Sequence, residues 1–355
     1  MPGDLILSNS ATPGIPKFMG IEACIHDGWL LLREFDHLDK NFCYYLLKYE
    51  RPRLLQKGSG SVFTNLKTDI LRTHRVRIPL LPEQRAIASI LGALDDKIDL
   101  NRRMNETLEA MARAIFKSWF VDFDPVRAKA EGKQPFGMDA ETAALFPDRL
   151  VDSELGPIPE GWEVGTIAED FNLVMGQSPP GETYNEDGAG VPFFQGKRDF
   201  GTRFPSRRVF CTAPTRHAIA NSTLLSVRAP VGTVNQAWED CAIGRGLASL
   251  MHKENLAEFT YQVGLNLQDE FEVYDGDGTV FGSINKGELS KLKVIRPNGV
   301  VRSGYECKIT SASRQLRLNT EESRTLAELR DLLLSKLLSG EIRVKDAEKM
   351  VGDAV

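Results

Sequence analysis

Apolar residues recur along this chain at two spacings, one helical and one strand-like. Between Glu83 and Phe120 they fall at Ile87, Leu91, Leu94, Ile98, Leu108, Ala112, Ile115 and Trp119, with Asn101 and Asn105 in the middle of the stripe. Alternating steps of four and three predict a long helix with one apolar seam, entered at Pro82 and then free of proline as far as Phe120. A second stripe runs Ile309, Ala312, Leu316, Asn319, Ser323, Leu326, Arg330, Leu333, Leu337 and stops at Ser339-Gly340. Both stripes have polar centres. An Asn at a seam position costs stability but fixes register, so we expect the two helices to pair with each other, antiparallel because the chain must fold back. The alternative for either stripe is a core helix packed on its own domain. A helix of this length spans roughly 55 Å at about 1.5 Å per residue, more than one turn of DNA.

Ahead of each helical stripe lie short strand-like runs, and these match one another at a constant offset of 218 residues without a gap. Leu5-Ile6-Leu7-Ser8 falls on Thr223-Leu224-Leu225-Ser226, Gly14 on Gly232, Ile25 on Ile243, Gly28 on Gly246 and Leu32 on Leu250. Further on, Gly58-Ser59-Gly60-Ser61-Val62-Phe63 meets Gly276-Asp277-Gly278-Thr279-Val280-Phe281, and Leu71, Val76 and Pro79 meet Leu289, Val294 and Pro297. The register persists into the helices, where Leu100-Asn101 meets Leu318-Asn319. The chain therefore reads as two copies of one unit, each a mixed strand-rich domain followed by a helix. Partners of residues 159 to 220 would lie before Met1, so the first copy is expected to lack its beginning, whether through a late gene start, a truncated gene or a natural one-and-a-half-copy form. The expected segments are 1–80 (partial first domain), 81–125 (first long helix), 126–158 (linker), 159–300 (second domain), 301–341 (second long helix) and 342–355 (tail).

Bulk properties narrow the chemistry. At 355 residues, with 42% hydrophobic and 26% charged residues, the chain is long enough for two or three packed domains. No apolar run reaches the roughly 18 residues of a spanning helix and the start has no signal-peptide order, so a cytoplasmic protein without membrane contact is expected. Cys24, Cys43, Cys211, Cys241 and Cys307 are scattered and never in a C-x-x-C pair, which indicates neither a disulfide framework nor a zinc site. A net charge of −5 excludes coating of nucleic acid through overall basicity, so any such contact must be local.

Three motifs in order carry a family resemblance: Leu81-Pro82-Glu83-Gln84-Arg85-Ala86-Ile87 entering the first long helix, Gly156-Pro157-Ile158-Pro159-Glu160-Gly161-Trp162 opening the second domain, and the run from Leu333 to Ile342 closing the second helix. Together they resemble the DNA-specificity (S) subunit of type I restriction-modification systems over nearly the whole chain. The departures are a shortened first recognition domain and Pro297-Asn298-Gly299 in place of a second Leu-Pro entry. The resemblance implies an α+β fold: two pseudo-repeated mixed target-recognition domains separated by a long antiparallel pair of coiled-coil helices. It implies that each domain reads one half of a bipartite site in double-stranded DNA. It implies that the helices, paired through Ile87, Leu91, Leu94, Ile98, Asn101, Leu108, Ile115, Leu316, Asn319, Leu326, Leu333 and Leu337, carry two modification (methyltransferase) subunits, which restriction subunits join. This chain would then need no cofactor, the methyl donor belonging to the modification subunit.

The most basic stretch of the chain lies between Gln195 and Arg216, with Lys197, Arg198, Arg203, Arg207, Arg208 and Arg216 against one acid, Asp199. Lys and Arg neutralise phosphates, and Arg or Gln can reach base edges in the major groove. Gln195, Lys197 and Arg198 are the expected base readers and Arg203, Arg207 and Arg208 the expected phosphate contacts, the alternative being a solvated basic loop. The loops Gly58 to Asn65 and Gly276 to Asn285 do not fit a P-loop, since no Lys-Ser or Lys-Thr follows, and read as turns before strands. No catalytic centre is legible. Ser178-Pro179-Pro180-Gly181 lacks both the Asn or Asp first residue and the aromatic last residue of an amino-methyltransferase motif, and the five histidines show no metal spacing. Asp95-Asp96 and Glu321-Glu322 read as solvated helix faces. Two other readings remain: a truncated scaffold or recombination remnant that binds modification subunits without reading DNA, and a stand-alone enzyme acting on DNA.

Overall fold

A computed structural model describes residues 1–57, 65–274 and 282–352. Along the chain run β1 (Leu5–Ser8), β2 (Pro16–Phe18), β3 (Trp29–Leu32), α1 (Lys40–Gln56), α2 (Thr68–Thr73) and α3 (Leu81–Phe120). There follow α4 (Asp124–Ala130), α5 (Ala140–Ala144), β4 (Leu150–Val151), β5 (Ile158–Pro159), β6 (Glu163–Thr166), α6 (Ile167–Asp170) and β7 (Phe171–Met175). The next strands are β8 (Tyr184–Asn185), β9 (Val191–Phe194), β10 (Phe210–Cys211), β11 (His217–Ala218), β12 (Thr223–Ser226), β13 (Val234–Gln236), β14 (Cys241–Ile243) and β15 (Leu247–His252). The chain closes with α7 (Ala257–Asn266), α8 (Gln268–Glu272), α9 (Lys286–Lys291), β16 (Lys293–Arg296), α10 (Gly299–Ser339) and α11 (Val344–Gly352). The fold class is α+β. Two compact units form: unit 1 from Met1–Glu106 with Leu316–Val355, and unit 2 from Thr107–Gln315, so each long helix contributes to both.

The 218-residue repeat reappears in strand register. In unit 1, β1 pairs antiparallel with β2 (Leu5 opposite Phe18) and β3 (Leu5 opposite Leu32); in unit 2, β12 pairs with β13 (Thr223 opposite Gln236) and β15 (Thr223 opposite Leu250). The turn after the central strand is rebuilt atom for atom. Ser8 Oγ donates to the Thr12 carbonyl at 2.6 Å and accepts the Ile15 N–H at 2.9 Å, while Ser226 Oγ donates to the Pro230 carbonyl at 2.7 Å and accepts the Thr233 N–H at 2.8 Å. Gly14 and Gly232 take φ of +79° and +82° there, a conformation that explains why both copies place glycine at this point of the turn.

Unit 1 packs its three-stranded sheet on α1 through Leu5, Leu7, Cys43, Leu47 and Leu54. The other face of α1 joins a helical core of Ile87, Leu91 and Leu94 from α3, Leu326, Leu333 and Leu337 from α10, and Ala347 and Val351 from α11. The expected tail is thus partly a helix with a buried face. In this unit the long helices run antiparallel: Asp95 meets Arg330 at 2.6 Å, Asn101 donates to Glu322 at 2.6 Å, and Asn319 donates to Asn105 at 2.9 Å, the partner number falling as the first rises. The expected polar centre is therefore a buried hydrogen-bonded layer, Asn101 and Asn319 being almost fully covered. Asp95 and Glu322, read from sequence as solvated, instead clamp the helices, because Tyr45 and Arg330 bond Asp95 while Asn101 and Lys97 engage Glu322.

Unit 2 holds a five-stranded sheet in the order β11-β14-β9-β10-β8 and a four-stranded sheet in the order β13-β12-β15-β7. Its main core is aromatic: Phe116, Trp119 and Phe120 of α3 meet Trp162, Phe259 and Tyr305, and the Tyr305 hydroxyl donates to the Ala112 carbonyl at 3.0 Å. Of the expected seam residues here, Ile115 is half-buried against this core and Leu108 is half-buried. The segment 126–158, expected as a linker, carries α4, α5, β4 and β5 and buries Val126, Phe146 and Ile158.

Two outcomes test this packing. Leu333→Ala, at a fully buried seam position, should lower stability to urea by about 2–5 kcal/mol, whereas Leu318→Ala, 53% exposed, should stay within about 0.5 kcal/mol. In the native protein a thiol reagent should label Cys24 and Cys307, which are exposed. Cys43 and Cys241 are buried, and desolvation pushes both thiols up to about 12, so they and buried Cys211 should react only on unfolding. Fast labelling of Cys43 or Cys241 would contradict the packing.

Candidate nucleic-acid interface

At one end of the unit 2 sheets, five chain segments are stitched together by backbone hydrogen bonds. After β7, Gly176 N–H donates to Leu247 at 2.9 Å and Gln177 N–H to Ile243 at 3.0 Å; after β14, Gly244 N–H donates to Phe194 at 2.9 Å and Gly246 N–H to Gln195 at 3.1 Å. After β12, Val227 N–H donates to Gly246 at 2.9 Å, and Ile284 N–H reaches Val227 at 3.1 Å. The parallel pairing of β9 with β14 brings Gln195 beside Arg245, although fifty residues separate them in sequence. Ser178 Oγ sits between them, accepting from the Arg245 N–H at 3.3 Å and from Gln195 Nε2 at 3.4 Å.

Side chains on this cluster fall into two charge classes. Lys197, Arg198, Arg216, Arg228 and Arg245 are exposed, and among the described residues none of them forms a salt bridge. Arg228 and Arg245 line a cleft of about 360 Å³ together with Met175, Val227, Ile284 and Asn285. Arg207 and Arg208 are committed elsewhere: Arg207 pairs with Glu239 at 2.5 Å, and Arg208 pairs with Asp199 at 2.8 Å and Glu186 at 3.9 Å. Five unpaired guanidinium or ammonium groups around a glutamine form a local positive surface on an acidic chain, able to neutralise phosphates and offer hydrogen-bond donors and an acceptor to base edges.

Of the residues expected at DNA, Gln195, Lys197 and Arg198 are brought together at this end, Lys197 and Arg198 on a tight turn that ends at Asp199. Arg203 is not. It is 4% exposed and its guanidinium is held by Glu258 at 2.5 Å and Glu109 at 3.1 Å, out of reach of any phosphate. Burial alone would lower its pKa, and the Glu258 and Glu109 carboxylates reverse that to a net rise, so it stays charged. Sequence reasoning missed Arg228 and Arg245, because the sheet topology rather than a basic run places them; the local signal for Arg245 is the glycine on either side of it, Gly244 and Gly246. The glycine-rich loops at Gly58 to Asn65 and Gly276 to Asn285 lie mostly outside the described residues. The described part of the second shows Asn285 capping α9, its side chain accepting the Glu288 N–H at 3.1 Å.

Comparisons with known proteins bear on this arrangement. Residues 3–110 match the family model described as the type I restriction modification DNA specificity domain. The MjaX type I restriction enzyme specificity subunit of Methanocaldococcus jannaschii is 29% identical, the alignment covering 89% of this chain and 71% of that protein. The HindI specificity subunit of Haemophilus influenzae is 27% identical, over 96% of this chain and 86% of that protein. A solved type I restriction-modification S subunit from M. genitalium shares the fold with a TM-score of 0.55 at 17% identity, covering 95% of this chain and 83% of that one. Matches of this extent agree with the repeated modules, the paired helices and the motifs that enter them, and along most of its length the chain is similar to specificity subunits of type I restriction-modification systems.

Proposed function

We propose that unit 2 reads one half of a bipartite site in double-stranded DNA. In this reading Gln195, Lys197 and Arg198 face base edges, and Arg216, Arg228 and Arg245 hold the backbone. The observation that carries the proposal is the set of unpaired cations gathered around Gln195 at one sheet end. Unit 1 has the same scaffold but different charges, since the counterparts of Arg228 and Arg245 at the 218-residue offset are Ser10 and Asp27. The long antiparallel helices would carry two modification subunits, with restriction subunits joining them, in the cytoplasm. The chain itself would be non-catalytic and free of cofactor, the methyl donor being bound by the modification subunit.

The complex with the modification subunit, presented with a randomised duplex library, tests the reading. One enriched half-site assigns recognition to unit 2; two half-sites at fixed spacing mean that unit 1 reads as well; stable assembly with no enrichment would favour the scaffold and overturn the proposal. Arg245→Ala should weaken binding to all sequences alike and reduce the slope of log affinity against log salt by about 0.9 for each phosphate that the arginine neutralises. Gln195→Ala should instead relax preference at a single base position, by about 1–3 kcal/mol of discrimination. An unchanged salt slope in Arg245→Ala would remove that residue from the interface.

A further inference from the structure

Arg203 is the most enclosed arginine of unit 2, and its interactions are directional. Its Nη1 reaches Glu109 of α3 at 3.1 Å, its Nη2 Glu258 of α7 at 2.5 Å and its Nε Gln236 of β13 at 3.2 Å, while the guanidinium lies 4.0 Å from the centre of the Tyr261 ring. Glu258 is held in turn by Ser313 of α10, whose hydroxyl donates at 2.5 Å. The backbone around Arg203 is tied down too: the Gln236 N–H donates to the Arg203 carbonyl at 2.8 Å and Asn235 Nδ2 to the Gly201 carbonyl at 2.9 Å. From this anchor the chain leaves in one direction toward Lys197 and Arg198 and in the other toward Arg207 and Arg208.

A buried guanidinium between two carboxylates is an expensive way to fill a core, and an apolar side chain of similar volume commonly serves stability as well. The internal repeat shows that this scaffold does not require it. At the 218-residue offset, Glu258, Tyr261 and Gln236 correspond to Lys40, Cys43 and Phe18 in unit 1, where the same strands and helix pack with no such network among the described residues. The network occurs in the unit that carries the basic loop, and it connects that loop to the segments of α3 and α10 belonging to the same unit.

We propose that Arg203 is a positioning residue for DNA reading: it fastens the recognition loop to α3, α7 and α10 so that Lys197, Arg198 and Gln195 are presented in one fixed geometry. This rests on the loop reading DNA. The planar fork is essential to the role, because a lysine keeps the charge but cannot engage Glu109, Glu258 and Gln236 together or stack on Tyr261.

The test uses the complex with the modification subunit and measures affinity for the selected duplex against a scrambled duplex, well below the unfolding temperature. Arg203→Lys should keep assembly and salt-dependent binding to the scrambled duplex while the selectivity ratio falls by about tenfold or more, the loss expected when one good base reader is misplaced. Glu109→Gln, at a more accessible partner that keeps a hydrogen-bond acceptor, is the second variant and should reduce the ratio by a smaller factor without loss of folding. Selectivity retained in Arg203→Lys, with only a lower melting temperature, would make the residue structural and overturn the proposal. Should Arg203→Lys not fold, full selectivity in both Glu109→Gln and Glu109→Leu would overturn it equally. A wild-type complex with no selectivity would instead overturn the reading on which the proposal rests.

Discussion

The candidate interface depends on how closely the backbone can approach itself at one end of the unit 2 sheets. A Cβ on Gly176 would lie 2.1 Å from the Gly244 carbonyl oxygen, and one on Gly246 would lie 2.5 Å from that of Gln195, distances no side chain tolerates. Glycine at these two places lets the ends of β7, β9 and β14 close on one another. That closure puts Ser178, Gln195 and Arg245 within hydrogen-bonding range of a common centre. Chemistry scattered over almost seventy residues of sequence becomes one surface through steric permission, before any charge is considered.

Charge then sorts what the backbone has gathered. The chain is acidic overall, so a positive surface exists only where cations lack carboxylate neighbours. Asp199, Glu239, Glu109 and Glu258 engage Arg208, Arg207 and Arg203, leaving Lys197, Arg198, Arg216, Arg228 and Arg245 exposed. The same acids that lower the net charge also decide which arginines shape the loop and which face outward. Such a division suits a protein that must hold one surface rigid while offering another to a polyanion.

Much of the fold was legible because its signals are periodic. The 218-residue offset carries over to strand register, to the Ser8 and Ser226 turns, and to the entry of both long helices at Leu81 and Gly299. The Asn centre also followed from the spacing of the two stripes, and the antiparallel pairing from the need of the chain to fold back. Interactions that depend on tertiary neighbours were not legible. Arg203 reads in sequence like any member of a basic run, and only the fold shows Glu109 and Glu258 converging on it from distant positions. Asp95 and Glu322 read as surface acids for the same reason, and in the short helix α11 the helical spacing of Val344, Ala347 and Val351 marks an apolar face without naming the core that it enters.

The loop cluster of unit 2 is the surface proposed to meet DNA. Photo-cross-linking tests it most directly: a photoreactive residue replaces Lys197 in one preparation and Phe136, a fully exposed residue elsewhere on unit 2, in another, each assembled with the modification subunit on a labelled selected duplex. A protein–DNA adduct is expected from position 197 and none from position 136. Adducts from 136 with none from 197 would contradict it and move the DNA to another face of the protein.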